Sequence, residues 1–138
     1  MPGKARGIRI SDPVEREIER EAERRGESFS AVASEVLREG VRMRRVPGIA
    51  FTDGPSGRRP TVAGTGLDVW EIIASWKTVG ETMDALLEEY DWLNEFQLRS
   101  ALAYYRMYPE EIDARLAREE RWTAESIGEE YPFLLPRR

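Results

Sequence analysis

Residues 7–45, GIRISDPVEREIEREAERRGESFSAVASEVLREGVRMRR, place one very short alternating segment and two amphipathic helical patterns in a unit too small to fold alone. Ile8 and Ile10 alternate with Gly7, Arg9 and Ser11, which predicts a short strand with one apolar face. Asp12 or Ser11 can cap a first helix, and Pro13 suits its first turn. Val14, Ile18 and Ala22 recur every four residues and make one narrow stripe on a helix running to about Arg25. Gly26 suits its C′ position. Ser28 can cap a second helix, from about Phe29 to Arg44, whose buried face is Phe29, Val32, Val36, Leu37 and Val41. So few apolar anchors cannot stabilise a free-standing unit, and a lone strand has an unsatisfied edge. Pairing with the same strand of a second copy cures both defects. The spacing therefore predicts a homodimer joined by an intermolecular antiparallel ribbon, with Ala5, Gly7 and Arg9 on its outer face.

The chain has 138 residues and contains neither Cys nor His. Disulfides, thiolate metal sites and the commonest general base are thereby excluded, and catalysis would have to rest on carboxylates, Lys, Tyr or Ser. A non-enzymatic role is expected, with no catalytic residue, metal or cofactor assigned. No apolar run approaches a membrane span and no signal-peptide core is evident, so a soluble cytoplasmic protein is expected. The net charge of −5 is unevenly spread: residues 1–46 hold eleven Lys and Arg against nine Asp and Glu, whereas residues 47–138 hold ten against seventeen. A mildly basic head on an acidic body fits a nucleic-acid-binding end joined to a protein-binding end.

Val46-Pro47-Gly48 marks the boundary of a second domain. Ile49-Ala50-Phe51 and Pro60-Thr61-Val62 read as a small hairpin around Asp53-Gly54-Pro55-Ser56-Gly57. Helices are predicted over about Val69–Lys77, from the Thr82 cap, from the Asn94 cap to about Met107, and from Pro109. Their inward positions read as Val69, Trp70, Ile73, Trp76, Met83, Leu86, Leu87, Tyr90, Phe96, Leu98, Leu102, Tyr105, Ile112 and Leu116. Trp92, in a turn, can be exposed. Gly64-Thr65-Gly66 lacks the Lys-Ser/Thr completion of a phosphate loop and reads as a tight turn. The pairs Glu110-Glu111 and Glu119-Glu120 read as solvated helix faces. From about Thr123 the periodicity fades.

A two-stranded ribbon fits the DNA major groove, where the side chains of one face can read base edges. The alternating strand, Ser11-Asp12-Pro13, the Gly26-Glu27-Ser28 turn and Ser28-Phe29-Ser30 resemble the ribbon-helix-helix family of bacterial repressors and antitoxins. The resemblance implies base reading by Ala5, Gly7 and Arg9, and phosphate anchoring by Ser28 with the amides of Phe29 and Ser30. Lys4 and Arg6 could add backbone contacts. Only Arg9 carries a strong reading side chain, and a bidentate Arg–guanine contact discriminates by about 1–3 kcal/mol. The alternative for this segment is a clamp that dimerises without touching DNA.

About residues 47–117 resemble the family called domain of unknown function 433. The residues that carry the likeness are Arg59-Pro60-Thr61-Val62-Ala63-Gly64-Thr65-Gly66-Leu67-Asp68-Val69, Tyr90, Trp92-Leu93, Gln97 to Tyr105 and Pro109-Glu110-Glu111-Ile112. The family usually carries Arg where this chain has Gly66. The resemblance implies a small helix-turn-helix bundle, here Thr82–Tyr90 with Glu95–Met107, and an antitoxin partnered with a PIN-like toxin. The acidic neighbours Glu88, Glu89 and Asp91 favour a structural or protein-binding role for that bundle over DNA contact. Tyr131, Phe133, Leu134 and Leu135 lack helical spacing and can dock on a partner or fold back.

The expected architecture is mainly α. It comprises a ribbon-helix-helix domain (1–46), a helical domain with a short hairpin (47–122) and an apolar tail (123–138). The expected function is an antitoxin-type regulator that dimerises, binds operator DNA and neutralises a PIN-like ribonuclease. A plain repressor and a non-DNA-binding scaffold are the alternatives.

Overall fold

Local chemistry sets the helix ends. Ser11, extended, stands at the N-cap of α1 (Asp12–Arg25), with Pro in the first turn and Asp12 and Glu15 near the positive end of the helix dipole. Gly26, at φ +66°, closes it: its N–H bonds Glu23 O while the Glu27 N–H bonds Ala22 O, the paired bonds of a Schellman cap. α2 (Phe29–Arg45) begins where the Ser28 hydroxyl oxygen accepts the Ala31 N–H at 3.1 Å. The computed structural model describes residues 3–55, 57–121, 129 and 133. The chain divides into two units, Met1–Arg42 and Met43–Arg138.

In the first unit the expected buried face stays largely open. Ala22 and Val32 are buried and Ile18 and Phe29 are half-buried, but Val14, Val36, Leu37 and Val41 are exposed. Residues 3–11 form neither strand nor helix, and Ile8 is 60% exposed. A strand needs a neighbour for its backbone groups, and the expected ribbon is not formed within one chain.

The second unit begins with a hairpin of β1 (Ile49–Gly54) and β2 (Gly57–Val62), paired antiparallel from Ile49↔Val62 to Gly54↔Gly57. Pro60 lies opposite Phe51. The Ala63 N–H bonds Gly48 O at 2.9 Å, and the Val62 N–H bonds Leu67 O at 3.0 Å. Between them Gly64-Thr65-Gly66 is a tight turn: the Thr65 hydroxyl donates to Val62 O at 2.8 Å and accepts the Leu67 N–H at 3.0 Å. α3 (Val69–Thr78) follows, and the Glu71 carboxylate accepts the Asp68 N–H at 2.8 Å. Thr82 caps α4 (Met83–Glu89) through the Ala85 N–H. Asn94 and Gln97 form a reciprocal capping box at α5 (Glu95–Met107), and Pro109 opens α6 (Pro109–Glu120). The unit is thus mainly helical with one small antiparallel sheet.

α5 is the pillar of this unit, meeting both strands and α3, α4 and α6. Being covered on more than one face, it buries Leu98, Ala101 and Tyr104 completely. Ile72, Ile73, Val69, Val62, Leu86 and Ile112 complete the centre of the core. The Tyr104 hydroxyl donates to Glu111 Oε1 at 2.9 Å, while its ring meets Phe51 edge-on and tilts against Tyr108. Ser100 Oγ lies 2.8 Å from Pro47 O and 3.0 Å from Phe96 O, directly beneath Gly48. Phe96, expected inward, is instead 60% exposed. It lies in the first turn of α5, beyond the cover that the neighbouring elements give the rest of the helix. No described helix is long and apolar enough to cross a membrane.

Candidate functional site

Lys4, Ala5, Arg6, Gly7 and Arg9 all lie in the exposed segment before α1. They are exposed and carry three cations within six residues. Ser28 and Ser30 are exposed and Phe29 is half-buried at the start of α2. The Ser28 oxygen is already used as a helix cap, which leaves its O–H as a donor at the positive end of a 17-residue helix. The arrangement can hold an anion at the α2 N-terminus and can offer one guanidinium, Arg9, to a hydrogen-bond acceptor pair.

α1 is laced on its outer side by charge. Glu21 accepts hydrogen bonds from Arg24 and, at 2.8 Å, from Arg25. These bonds, Arg24's first, hold the Glu21 carboxyl below the usual carboxylate range. Arg25 also reaches Glu35 of α2 at 3.9 Å, a weak tie between the two helices.

In the second unit the carboxylate pairs serve structure. Glu111 receives the Tyr104 hydroxyl, and Glu119 pairs with Arg115 at 2.8 Å. Among the described residues no group of acidic side chains is placed to hold a metal ion. Trp92 is exposed in the α4–α5 turn and meets Tyr90 edge-on at 6.4 Å. With Phe96 it puts two large aromatics in solvent beside Glu88, Glu89, Asp91 and Glu95, all exposed. Sequence reading anticipated Trp92 but placed Phe96 inward with Leu98 and Leu102, although Phe96 lies about 200° round α5 from Leu98, on another side of the helix. Of the tail positions, Phe133 is 80% exposed, while Tyr131, Leu134 and Leu135 lie outside the described residues.

No curated protein and no solved structure matches the chain. Residues 49–105, from β1 into α5, match the family described as Protein of unknown function (DUF433), a span narrower than the 47–117 expected from sequence motifs and one that leaves α1 and α2 outside it.

Proposed function

We propose that this chain is an antitoxin-type transcriptional regulator. Two copies pair through their N-terminal segments and bind operator DNA, and the acidic C-terminal domain with its tail blocks a toxin of the PIN-like ribonuclease class. The observation that carries this reading is the apolar face left in solvent by the first unit: Ile8, Val14, Val36, Leu37 and Val41, beside an unpaired basic segment. Monomeric proteins seldom leave such a face open. A second copy would cover it, and pairing of residues 6–10 from both copies would satisfy the strand edge. The ribbon so formed would turn Ala5, Gly7 and Arg9 toward the major groove, with Ser28, Phe29 and Ser30 holding phosphate. Gly7 and Ala5 offer little to a base, so phosphate anchoring and DNA shape carry much of the affinity.

In the same reading α4, the Tyr90–Asn94 turn and α5 form a helix-turn-helix used for protein contact. Its acidic surface and the exposed Trp92 and Phe96 suit a basic partner better than DNA. The tail residues Tyr131, Phe133, Leu134 and Leu135 are assigned to the same partner.

Sedimentation at micromolar concentration should give a dimer for the wild type and a monomer for Leu37→Glu. A gel shift on the DNA upstream of the reading frame should weaken in Arg9→Ala, with a salt slope that reports phosphate contacts. A wild-type monomer, or equal affinity of Arg9→Ala at every salt concentration, would refute the ribbon. Co-purification of the neighbouring reading frame's product with the full chain, but not with a chain ending at Glu125, would implicate the tail.

A further inference from the structure

Residues 47–138 carry seventeen acidic side chains against ten basic ones. Four of those ten, Arg58, Arg59, Arg115 and Arg118, nevertheless line a single cavity between the hairpin, α3 and α6. Trp70 and Glu111 complete its polar and aromatic wall. Asp53, Asp68 and Glu119 anchor three of these arginines, so with Glu111 the neighbourhood is close to neutral, and what the wall offers an anion is a set of directed guanidinium N–H donors rather than net charge.

Three of the guanidinium groups are fixed in place before anything binds. Arg58 donates to Phe51 O at 3.0 Å and lies 3.3 Å from the Asp53 carboxylate. Arg59 Nε points to Thr52 Oγ1 at 3.2 Å and to the buried Asp68 at 3.3 Å. Arg115 is held by Glu119 through Nε and stacks over the Trp70 ring at 5.1 Å. Because Arg59 and Arg115 are anchored through Nε, their terminal N–H groups, the pair that forms the fork, can face the cavity. Arg118 is exposed and makes no ion pair with a described residue. Glu111, the one acid in the wall, is engaged by the Tyr104 hydroxyl.

We propose that this cavity is a binding site for a phosphate group, independent of the N-terminal DNA-binding reading. Size and the convergence of guanidinium donors select that ligand. The cavity volume is about 110 Å³. That is several times the ~30 Å³ of a liquid water and well below the ~300 Å³ where pockets for whole small molecules begin. A tetrahedral oxyanion fits, and whatever bears it stays outside. One carboxylate needs one bidentate arginine, whereas guanidinium groups converging from two elements suit the several oxygens of a phosphate. The phosphate can be free or terminal, or it can be a diester of a nucleic-acid backbone.

The test uses the full chain at fixed ionic strength, with calorimetry and Trp fluorescence as readouts, since the Trp70 indole lies in the wall. Inorganic phosphate should bind saturably and shift the emission, and Arg118→Glu should weaken it at least tenfold with unchanged circular dichroism. Arg118 is solvent-exposed at the rim, so its replacement leaves the fold intact. Arg9→Ala should bind phosphate like the wild type, which separates this site from the ribbon. Dimethyl phosphate, titrated in parallel, assigns the source: weaker binding than inorganic phosphate means a free or terminal group, equal or tighter binding means a diester backbone. Non-saturable heats, or affinity unchanged in Arg118→Glu, would overturn the proposal.

Discussion

Replacing Gly48 by Ala probes the close approach between the start of the hairpin and α5 within the second unit. Gly48 has φ +94°, a left-handed conformation that costs an L-residue about 1–3 kcal/mol. A methyl group there would also lie 2.6 Å from Ser100 Oγ, 3.3 Å from Ser100 Cβ and 3.2 Å from the Phe96 ring. The exposed Phe96 can swing aside, but buried Ser100 cannot leave without releasing the Pro47 carbonyl it bonds at 2.8 Å. Overpacking of this kind costs about 1–3 kcal/mol, and the stiffer unfolded chain returns about 0.4–1 kcal/mol. The expected loss is then about 1–5 kcal/mol, which at a urea slope near 2 kcal/mol/M lowers the midpoint by about 0.5–2.5 M. Unfolding followed by Trp fluorescence measures it, with the slope required to stay constant. In a Ser100→Ala background the closest clash disappears, so the same substitution should cost at least about 1 kcal/mol less, a coupling expected of residues in contact. A midpoint shift below about 0.3 M, or an identical cost in both backgrounds, would refute the steric reasoning.

Three further outcomes are expected. Gly26→Ala meets open space, so only its φ of +66° is penalised, and its loss should be confined to about 1–2 kcal/mol; thermal melts of Gly26→Ala and Gly48→Ala side by side test the contrast. Tyr104→Phe removes a buried hydroxyl that donates to Glu111 while keeping the ring packing, and should cost about 1–3 kcal/mol in urea titration; a neutral result would mean that Glu111 is satisfied elsewhere. Since its hydrogen-bonded carboxyl is depressed in the fold, Glu21 adds stability that is present above the ordinary carboxylate range and lost as pH falls through the lower folded value. A carbon-detected NMR titration of Glu21 should show the low midpoint, and Arg24→Ala should move it back up.

The helix ends were legible because their signals are local. Thr82, Asn94 and Pro109 each begin the helix expected of them, and Gly26 ends α1, through bonds spanning three or four residues. Periodicity also found most inward positions. It could not say what covers a face: Val36 shares the phase of Val32 and yet lies open, while Leu37 and Val41 stand about 140° and 180° round the helix from Val32 and are exposed. It also missed burial on a second face: Ile72 of α3 and Ser100 and Tyr104 of α5 are enclosed because each of these helices packs against several other elements. The arginine cavity was illegible for the same reason. Arg58 and Arg59 stand more than fifty positions before Arg115 and Arg118, and only the packing of hairpin, α3 and α6 brings them together.

The hairpin carries protection against self-association. Alternation from the Ala63–Gly48 bond turns the backbone nitrogens of Val62 and Pro60 outward. The Val62 N–H is already given to Leu67, and Pro60 has no hydrogen to offer. An extended peptide or a neighbouring molecule's strand arriving at that edge finds few donors, and the Arg58 and Arg59 side chains add charge there. Any growth of this sheet by strand addition is thereby directed to β1, and a fibre nucleus that needs both edges is blocked at one of them.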